Sequence, residues 1–129
     1  MDALKAAGAT VYVDGGSATY GRHDEMAARL RAAGVERADG FALNVSNFVG
    51  NARVIAGGEQ LSRRLGGKHF VIDTSRNGAG TEDGRTWCNA RGQALGAAPT
   101  TQTGHPLVDA FLWIKHPGES DGTCNGGPA

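Results

Sequence analysis

Four short apolar segments alternate with helical or irregular stretches, and this order constrains the fold more than any other feature of the sequence. Each segment is too short for a buried helix, and its β-branched and aromatic residues favour a strand. The predicted strands cover residues 9–13, 40–45, 69–72 and 108–114. Strands joined by crossover helices pair in parallel, with right-handed connections. The sequence therefore predicts an α/β fold built on a parallel sheet, with Trp113 of the last strand in the core.

Two segments between the strands have the periodicity of amphipathic helices. Residues 23–33 place apolar side chains on one face and are followed by Gly34, a typical helix stop. Residues 52–65 have the same spacing, although the Gly57-Gly58 pair is expected to interrupt this helix. The connection over residues 78–104 is long, glycine-rich and irregular. A chain with such loops is expected to be organised around a site.

The composition excludes several classes of protein. With 129 residues the chain forms at most one domain, and its 13 basic and 13 acidic side chains balance. A neutral chain lacks the basic surface that nucleic acids and anionic membranes attract, so we expect no nucleic-acid or membrane partner. No apolar run is long enough to span a bilayer, and the first residues lack the hydrophobic core of a signal peptide. We therefore expect a chain that is either cytosolic or separated from a processed segment.

Polar side chains follow each of the four predicted strands. They are Asp14, Asn44 and Asn47, Asp73 and Arg76, and Lys115, Glu119 and Asp121, in chain order. The carboxyl ends of parallel strands meet at one edge of a sheet, where α/β proteins place their binding sites. A single strand end of this kind is commonly a solvated turn, but four together favour a polar cleft. The sequence lacks a GxGxxG loop and the Cys/His spacing of zinc sites, so we expect neither a cofactor nor a metal.

Five motifs occur in the order in which glycoside hydrolase family 6 carries them. They are FALNVSNF at residues 41–48, KHFVIDTSRNG at 68–78, WCN at 87–89, TTQTG at 100–104, and DAFLWIK with PGESDG within 109–122. The chain thus resembles that family, the inverting β-1,4-glucanases, which comprise endoglucanases and cellobiohydrolases. The resemblance implies the C-terminal portion of a distorted (β/α) barrel. It also implies that residues 1–129 are a partial catalytic domain, because the family's general acid lies upstream in a Glu-Pro-Asp segment that this sequence lacks.

The resemblance also implies roles for individual residues. Asp121 corresponds to the aspartate proposed as catalytic base, and Arg76 and Lys115 correspond to cations that hold it in charged contacts. Asp14 corresponds to a further carboxylate of the catalytic site. The residues implied in substrate binding are Trp87, as a platform on which a sugar ring stacks, together with Lys115, Glu119, Asn44, Asn47 and Tyr20. Tyr20 stands where the family usually has tryptophan.

The function implied is hydrolysis of β-1,4-glucosidic bonds in cellulose, cello-oligosaccharides or other β-glucan, by inversion. The short loop at residues 78–86 favours endo action. From the residues alone, Cys88 and Cys124 are either a disulfide or two buried thiols. The resemblance implies that they pair around the Asp121 loop and that the protein is secreted.

Two other functions remain open. The first is a non-catalytic, glucan-binding or degenerate fragment of the same family, which would retain Trp87 and the loops without performing chemistry. The second, an unrelated α/β protein that binds nucleotides or sugar phosphates, is disfavoured by the missing phosphate loop. In a partial barrel the outer strands have unpaired edges, so we also expect self-association.

Overall fold

The computed structural model describes residues 1–17, 21–80 and 86–129, and it contains four parallel strands. The strands are β1 (Tyr12–Asp14), β2 (Gly40–Leu43), β3 (His69–Asp73) and β4 (Val108–Leu112), paired side by side in that order. The helices are α1 (Asp2–Ala6), α2 (His23–Ala32) and α3 (Asn51–Arg64), with short 3-10 turns at Val35–Arg37 and Cys124–Gly126. The parallel sheet with crossover helices confirms the predicted α/β class.

The core lies between the sheet and the two longer helices. Alternate residues of a strand face opposite sides of the sheet, so each strand contributes to two clusters. On one side, Phe41 and Phe70 stack with ring centroids 5.2 Å apart, and Leu30 of α2 and Leu61 of α3 belong to the same buried cluster. The other side carries the small residues Ala42, Val71 and Ala110, with Tyr12, Val45 and Leu112 partly buried against them.

The helix α3 runs without a break through Gly57 and Gly58, so the predicted interruption is wrong. Both glycines are buried, and a Cβ atom at Gly58 would collide with the ring of Phe70. Glycine is therefore required here by the close approach of the helix to the sheet, which outweighs its low helix propensity. In the part of the chain that the structure describes, no helix is long and apolar enough to cross a membrane.

Trp113 is not the core residue of the last strand that the sequence predicts. The strand β4 ends at Leu112, and Trp113 is only half-buried. Its indole Nε1 donates a hydrogen bond of 2.8 Å to the carbonyl of Ala97. Trp113 thus anchors the irregular stretch before β4 to the carboxyl edge of the sheet, because a half-buried indole N–H needs an acceptor.

Candidate active site

The carboxylate of Asp73 joins the loops that follow three consecutive strands. It is only 1% exposed and lies at the end of β3. One of its oxygens accepts hydrogen bonds from the backbone N–H groups of Ser46 (3.1 Å) and Lys115 (3.0 Å). The other accepts from the backbone N–H of Ser75 at 3.0 Å. Sequence reasoning treated Asp73 only as a polar strand end; the structure makes it the residue that fixes these loops relative to one another.

Asn44 is fully buried, and its side chain is used entirely within the protein. Its Nδ2 donates to the carbonyls of Val49 (3.0 Å) and Asp73 (3.1 Å), while its Oδ1 accepts from the N–H of Val49 at 3.3 Å. The backbone has a φ of 64°, which ends β2 two residues before the predicted boundary and which Asn tolerates better than most residues. The prediction that Asn44 binds a sugar hydroxyl is therefore corrected, because no part of its side chain is accessible to a ligand.

Asn47 lies in the same loop and is half-buried. Its Nδ2 donates to the carbonyl of Val45 at 3.2 Å. Unlike Asn44, it keeps accessible surface, so its role in substrate binding stays a prediction.

Arg76 and Asp121 form a buried ion pair. The Nη1 atom of Arg76 lies 2.9 and 2.8 Å from the two carboxylate oxygens of Asp121, and Nη2 donates to the carbonyl of Ser46. The guanidinium carbon lies 4.2 Å from the centre of the Phe48 ring, a cation–π contact. A charged side chain is buried at this depth only when it is paired. The contact between Arg76 and Asp121 is thus the one that the resemblance implies.

The environment of Asp121 favours its ionised form. Burial by itself would raise the pKa of this carboxyl, because it removes water from the charge. The backbone N–H of Asn89, which donates to Oδ2 at 2.9 Å, and the guanidinium of Arg76 outweigh that effect, with a further contribution from the charge of Lys115. The net result is a pKa below the ordinary value of 3.8. Asp121 is therefore a carboxylate at neutral pH and can accept a proton but not supply one.

Lys115 pairs with Glu119 and does not contact Asp121 directly. Its Nζ lies 3.3 Å from a carboxylate oxygen of Glu119, whose other oxygen lies 3.2 Å from Nδ1 of His116. The hydrogen bond from Lys115, followed by that from His116, lowers the pKa of Glu119 below its usual range. The expectation of two cations in contact with Asp121 is thus corrected. Arg76 makes that contact, and Lys115 acts on Asp121 only through its longer-range charge.

A disulfide joins Cys88 to Cys124 in the structure, as the resemblance implies, with Cα atoms 6.2 Å apart. The neighbouring residue Asn89 reinforces it: its Nδ2 donates to the carbonyls of Gly122 (2.7 Å) and Cys124 (2.8 Å). Sequence reasoning missed Asn89, and its position beside Cys88 is the one signal that could have indicated it. A disulfide and two hydrogen bonds from Asn89 therefore hold the loop that carries Asp121.

The other predicted site residues lie farther from this centre. Trp87 is 54% exposed, which contradicts core packing and fits a surface on which a sugar could stack. Asp14 is exposed at the end of β1, the outer strand farthest from β4, and its Oδ1 accepts the N–H of Gly16 at 2.9 Å. Tyr20 lies outside the described residues.

An open cavity of about 480 Å³ lies beside Asp121. Its polar lining includes Arg76, Asp121, Asn89, Gln93, Glu119 and Ser120. Asp14 and Trp87 do not line it. Within residues 1–17, 21–80 and 86–129, no three His, Cys, Asp or Glu side chains are arranged to hold a metal ion. The arrangement can therefore offer an ionised carboxylate, held in a fixed orientation, to a ligand or a water molecule in the cavity.

Comparisons with known proteins agree with this arrangement. The sequence profile of "Glycosyl hydrolases family 6" matches residues 1–128. Endoglucanase A of Cellulomonas fimi is 53% identical over 126 residues, which cover 98% of this chain and 28% of that protein. Endoglucanase A of Thermobispora bispora is 49% identical over 117 residues, covering 88% of this chain and 25% of that protein. The chain therefore spans between a quarter and a third of the length of these curated relatives.

Solved structures show the same relationship. The endoglucanase Cel6 of Mycobacterium tuberculosis, in complex with methyl-cellobiosyl-4-deoxy-4-thio-β-D-cellobioside, superposes with a TM-score of 0.88 at 53% identity, over 97% of this chain and 44% of that one. Cellobiohydrolase II (Cel6A) of Humicola insolens, in complex with glucose and cellotetraose, gives a TM-score of 0.72 at 29% identity, over 91% and 41% of the two chains. These cellulases fold as distorted barrels, which confirms the predicted fold class. By sequence profile, relatives and structure alike, the chain belongs to glycosyl hydrolase family 6.

Proposed function

We propose that this chain forms the base side of the catalytic cleft of an inverting β-1,4-glucanase that acts on cellulose or a related β-glucan. The observation that carries the proposal is the carboxylate of Asp121, which is buried, ionised and held by Arg76 at the wall of an open cavity. The names of the relatives, which are endoglucanases and cellobiohydrolases, support the reaction class. The cello-oligosaccharides bound in the solved relatives support the substrate class.

In an inverting hydrolase, one carboxylate draws a proton from the water that attacks the anomeric carbon. A carboxylic acid on the other face of the sugar protonates the departing oxygen, about 6.5–9.5 Å away. Asp121 suits the first role, because its low pKa keeps it ionised at the pH at which a base must work. Arg76 keeps the carboxylate in one orientation, so that its free lone pairs face a fixed point.

The general acid is proposed to lie outside residues 1–129, so that these residues are a partial catalytic domain. An acid needs a raised pKa. The pKa values of Asp121 and Glu119 are both lowered, which makes either residue a poor proton donor. The greater length of the relatives is in keeping with an acid supplied by another part of the domain.

Substrate binding is proposed to involve Trp87, Lys115, Glu119 and Asn47. The exposed indole of Trp87 offers an aromatic face to the apolar face of a pyranose ring. Lys115 and Glu119 present a charged donor and a charged acceptor at the carboxyl edge of β4, where both can bond to sugar hydroxyls. Secretion is proposed because a disulfide persists in an oxidising compartment.

The test is Asp121→Asn in a chain joined to the upstream half of a relative's catalytic domain, such as endoglucanase A of Cellulomonas fimi. Loss of a general base costs about 10²–10⁴-fold in turnover, and the isosteric amide should leave oligosaccharide affinity unchanged. Asp24→Asn is the matched control, because it removes one carboxylate that is also paired with an arginine but lies exposed on α2, outside the cavity. Binding without turnover in the unsubstituted hybrid would favour the non-catalytic, glucan-binding function, and near-normal turnover of Asp121→Asn would remove Asp121 from the base role.

A further inference from the structure

We propose that Asn89 is a positioning residue that fixes the orientation of the Asp121 carboxylate. The two residues exchange hydrogen bonds: the backbone N–H of Asn89 donates to Oδ2 of Asp121 at 2.9 Å, and the backbone N–H of Asp121 donates to Oδ1 of Asn89 at 3.0 Å. The inference rests on the proposed function only in taking Asp121 as the base. The pair is 32 residues apart in sequence, so it joins two separate loops.

The side chain of Asn89 binds the segment after Asp121 as well. Its Nδ2 donates to the carbonyls of Gly122 and Cys124, so one amide contacts three residues of the Asp121 loop. Both ends of the amide are satisfied, which leaves Asn89 one orientation. The amide therefore fixes the backbone of the loop at Asp121 and again at Gly122 and Cys124.

The disulfide alone cannot supply this orientation. It restrains Cys124, three residues beyond Asp121, and Gly122 with a φ of 105° lies between them. Because glycine has no side chain, the backbone dihedral angles of Gly122 are less restricted than those of other residues. The bonds of Asn89 act on both sides of Gly122, so they restrain the segment that the disulfide leaves free.

The backbone of Asn89 is itself in the left-handed region, with a φ of 45°. This conformation is unfavourable in free energy for any residue other than glycine, and it persists only when surrounding contacts impose it. At Asn89 the contacts that impose it are the bonds to the Asp121 loop. A substitution that keeps the left-handed backbone of Asn89 but removes its side chain can therefore separate the effect of its backbone on Asp121 from that of its side chain.

The decisive variant is Asn89→Gly, because glycine keeps the left-handed backbone and the N–H while removing the amide clamp. Asn125→Gly is the matched control: Asn125 also has a positive φ, of 52°, and its Nδ2 donates to the carbonyls of Cys88 and Asn89 but not to Asp121. The measurement is a carbon-13 NMR titration of the Asp121 carboxyl group in the 129-residue chain. We expect Asn89→Gly to raise the midpoint by about one pH unit, a tenfold change in proton affinity, and Asn125→Gly to leave it unchanged.

A second measurement needs no variant. In the unsubstituted chain, the proton resonance of the Asn89 backbone N–H should titrate with the same midpoint as the Asp121 carboxyl group. An Asn89 N–H that is insensitive to that midpoint, or a folded Asn89→Gly chain with an unchanged Asp121 titration, overturns the proposal. Neither readout requires glucanase activity. A shifted midpoint together with full turnover of Asp121→Asn in the hybrid enzyme would therefore reject the proposed function and keep the orientation role of Asn89.

Discussion

One guanidinium nitrogen of Arg76 lies within 2.9 Å of both carboxylate oxygens of Asp121, and the two side chains are only 8% and 6% exposed. Removing two charges from water costs more free energy than a surface ion pair returns, and many buried pairs can be replaced by apolar residues without loss of stability. A contribution to the stability of the fold is therefore a weak explanation for the presence of this buried pair. The need of a site for an ionised carboxylate in a fixed orientation is a stronger explanation.

Arg76→Ala should destabilise the chain by about 3–5 kcal/mol, because it leaves the carboxylate of Asp121 buried without its partner. It should also raise the pKa of Asp121. The measurements are urea unfolding and NMR titration of the carboxyl group. Arg37→Ala, which removes an exposed ion pair with Asp2, is the control and should change unfolding little. Equal unfolding midpoints for the two variants would show that the buried pair stabilises the fold no more than the exposed pair does.

Stability should fall in acid through the titration of Asp121. Its folded pKa lies below the ordinary 3.8 because Asn89 and Arg76 favour the ionised form over the opposing effect of burial. A lowered pKa stabilises the fold at pH values above the unfolded pKa, and this contribution is lost as the pH falls through the folded one. Urea unfolding at a series of pH values below about 4 should thus give a shallower decline for Asp121→Asn than for the unsubstituted chain. Parallel declines would contradict this prediction.

Trp87→Ala should weaken binding of soluble cello-oligosaccharides and leave the fold intact, because the exposed indole contributes no core packing. Loss of one aromatic contact is worth about 0.5–1.5 kcal/mol, or roughly two- to tenfold in Kd. Calorimetry of the variant measures this change. Leu4→Ala removes an apolar side chain of equal exposure, 54%, from α1 and should leave affinity unchanged. An unfolded Trp87→Ala chain with normal binding per folded molecule would rule out the stacking role.

Breaking the disulfide should cost about 3–4 kcal/mol of unfolding free energy in the chain-entropy model, since the bond closes a loop over a separation of 36 residues. The comparison is unfolding of the Cys88→Ser, Cys124→Ser double variant against the oxidised chain. Thiol titration of the unfolded, non-reduced protein provides the check on pairing. Two reactive thiols there would refute the bond itself.

Residues 1–129 alone should hydrolyse carboxymethyl-cellulose weakly or not at all, because they offer no carboxyl group with a raised pKa in the described cavity. They should also self-associate through the open edge of β1 and through the partly buried apolar side chains Val45 and Leu112. The outer edge of β4 is already paired in part, because Thr100 and Phe111 exchange two backbone hydrogen bonds. Reducing-sugar release and the mass in solution test both points, with Asp121→Ala as the control. Robust turnover by a monomer, lost in that control, would mean that another acid has been recruited, and Asp14 is the first to replace.

The order of strands and helices, the parallel sheet and the polar carboxyl edge were all readable from the sequence. Periodicity and β-branched content report burial within a few residues, and those local signals agree with the tertiary structure in β3 and α2. The paired cysteines and the assignment of Arg76 to Asp121 came from the resemblance, through motifs that lie in family order. Boundaries failed where a loop began early, as at Asn44, because Asn tolerates a left-handed backbone but also occurs in extended strands.

Hydrogen-bond partners were decided only by the tertiary structure. Asn44 and Asn47 occupy one loop and have the same side chain, yet the first is buried against backbone carbonyls and the second is half-exposed. Lys115 pairs with Glu119, four residues away, and leaves Asp121 to Arg76. Asn89 and Asp73 look like ordinary loop residues until folding brings distant N–H groups to them. The physical reason is that the burial of apolar residues in strands and helices follows local pattern, whereas the burial and partner of a polar group depend on how loops 27 to 45 residues apart meet at the sheet edge.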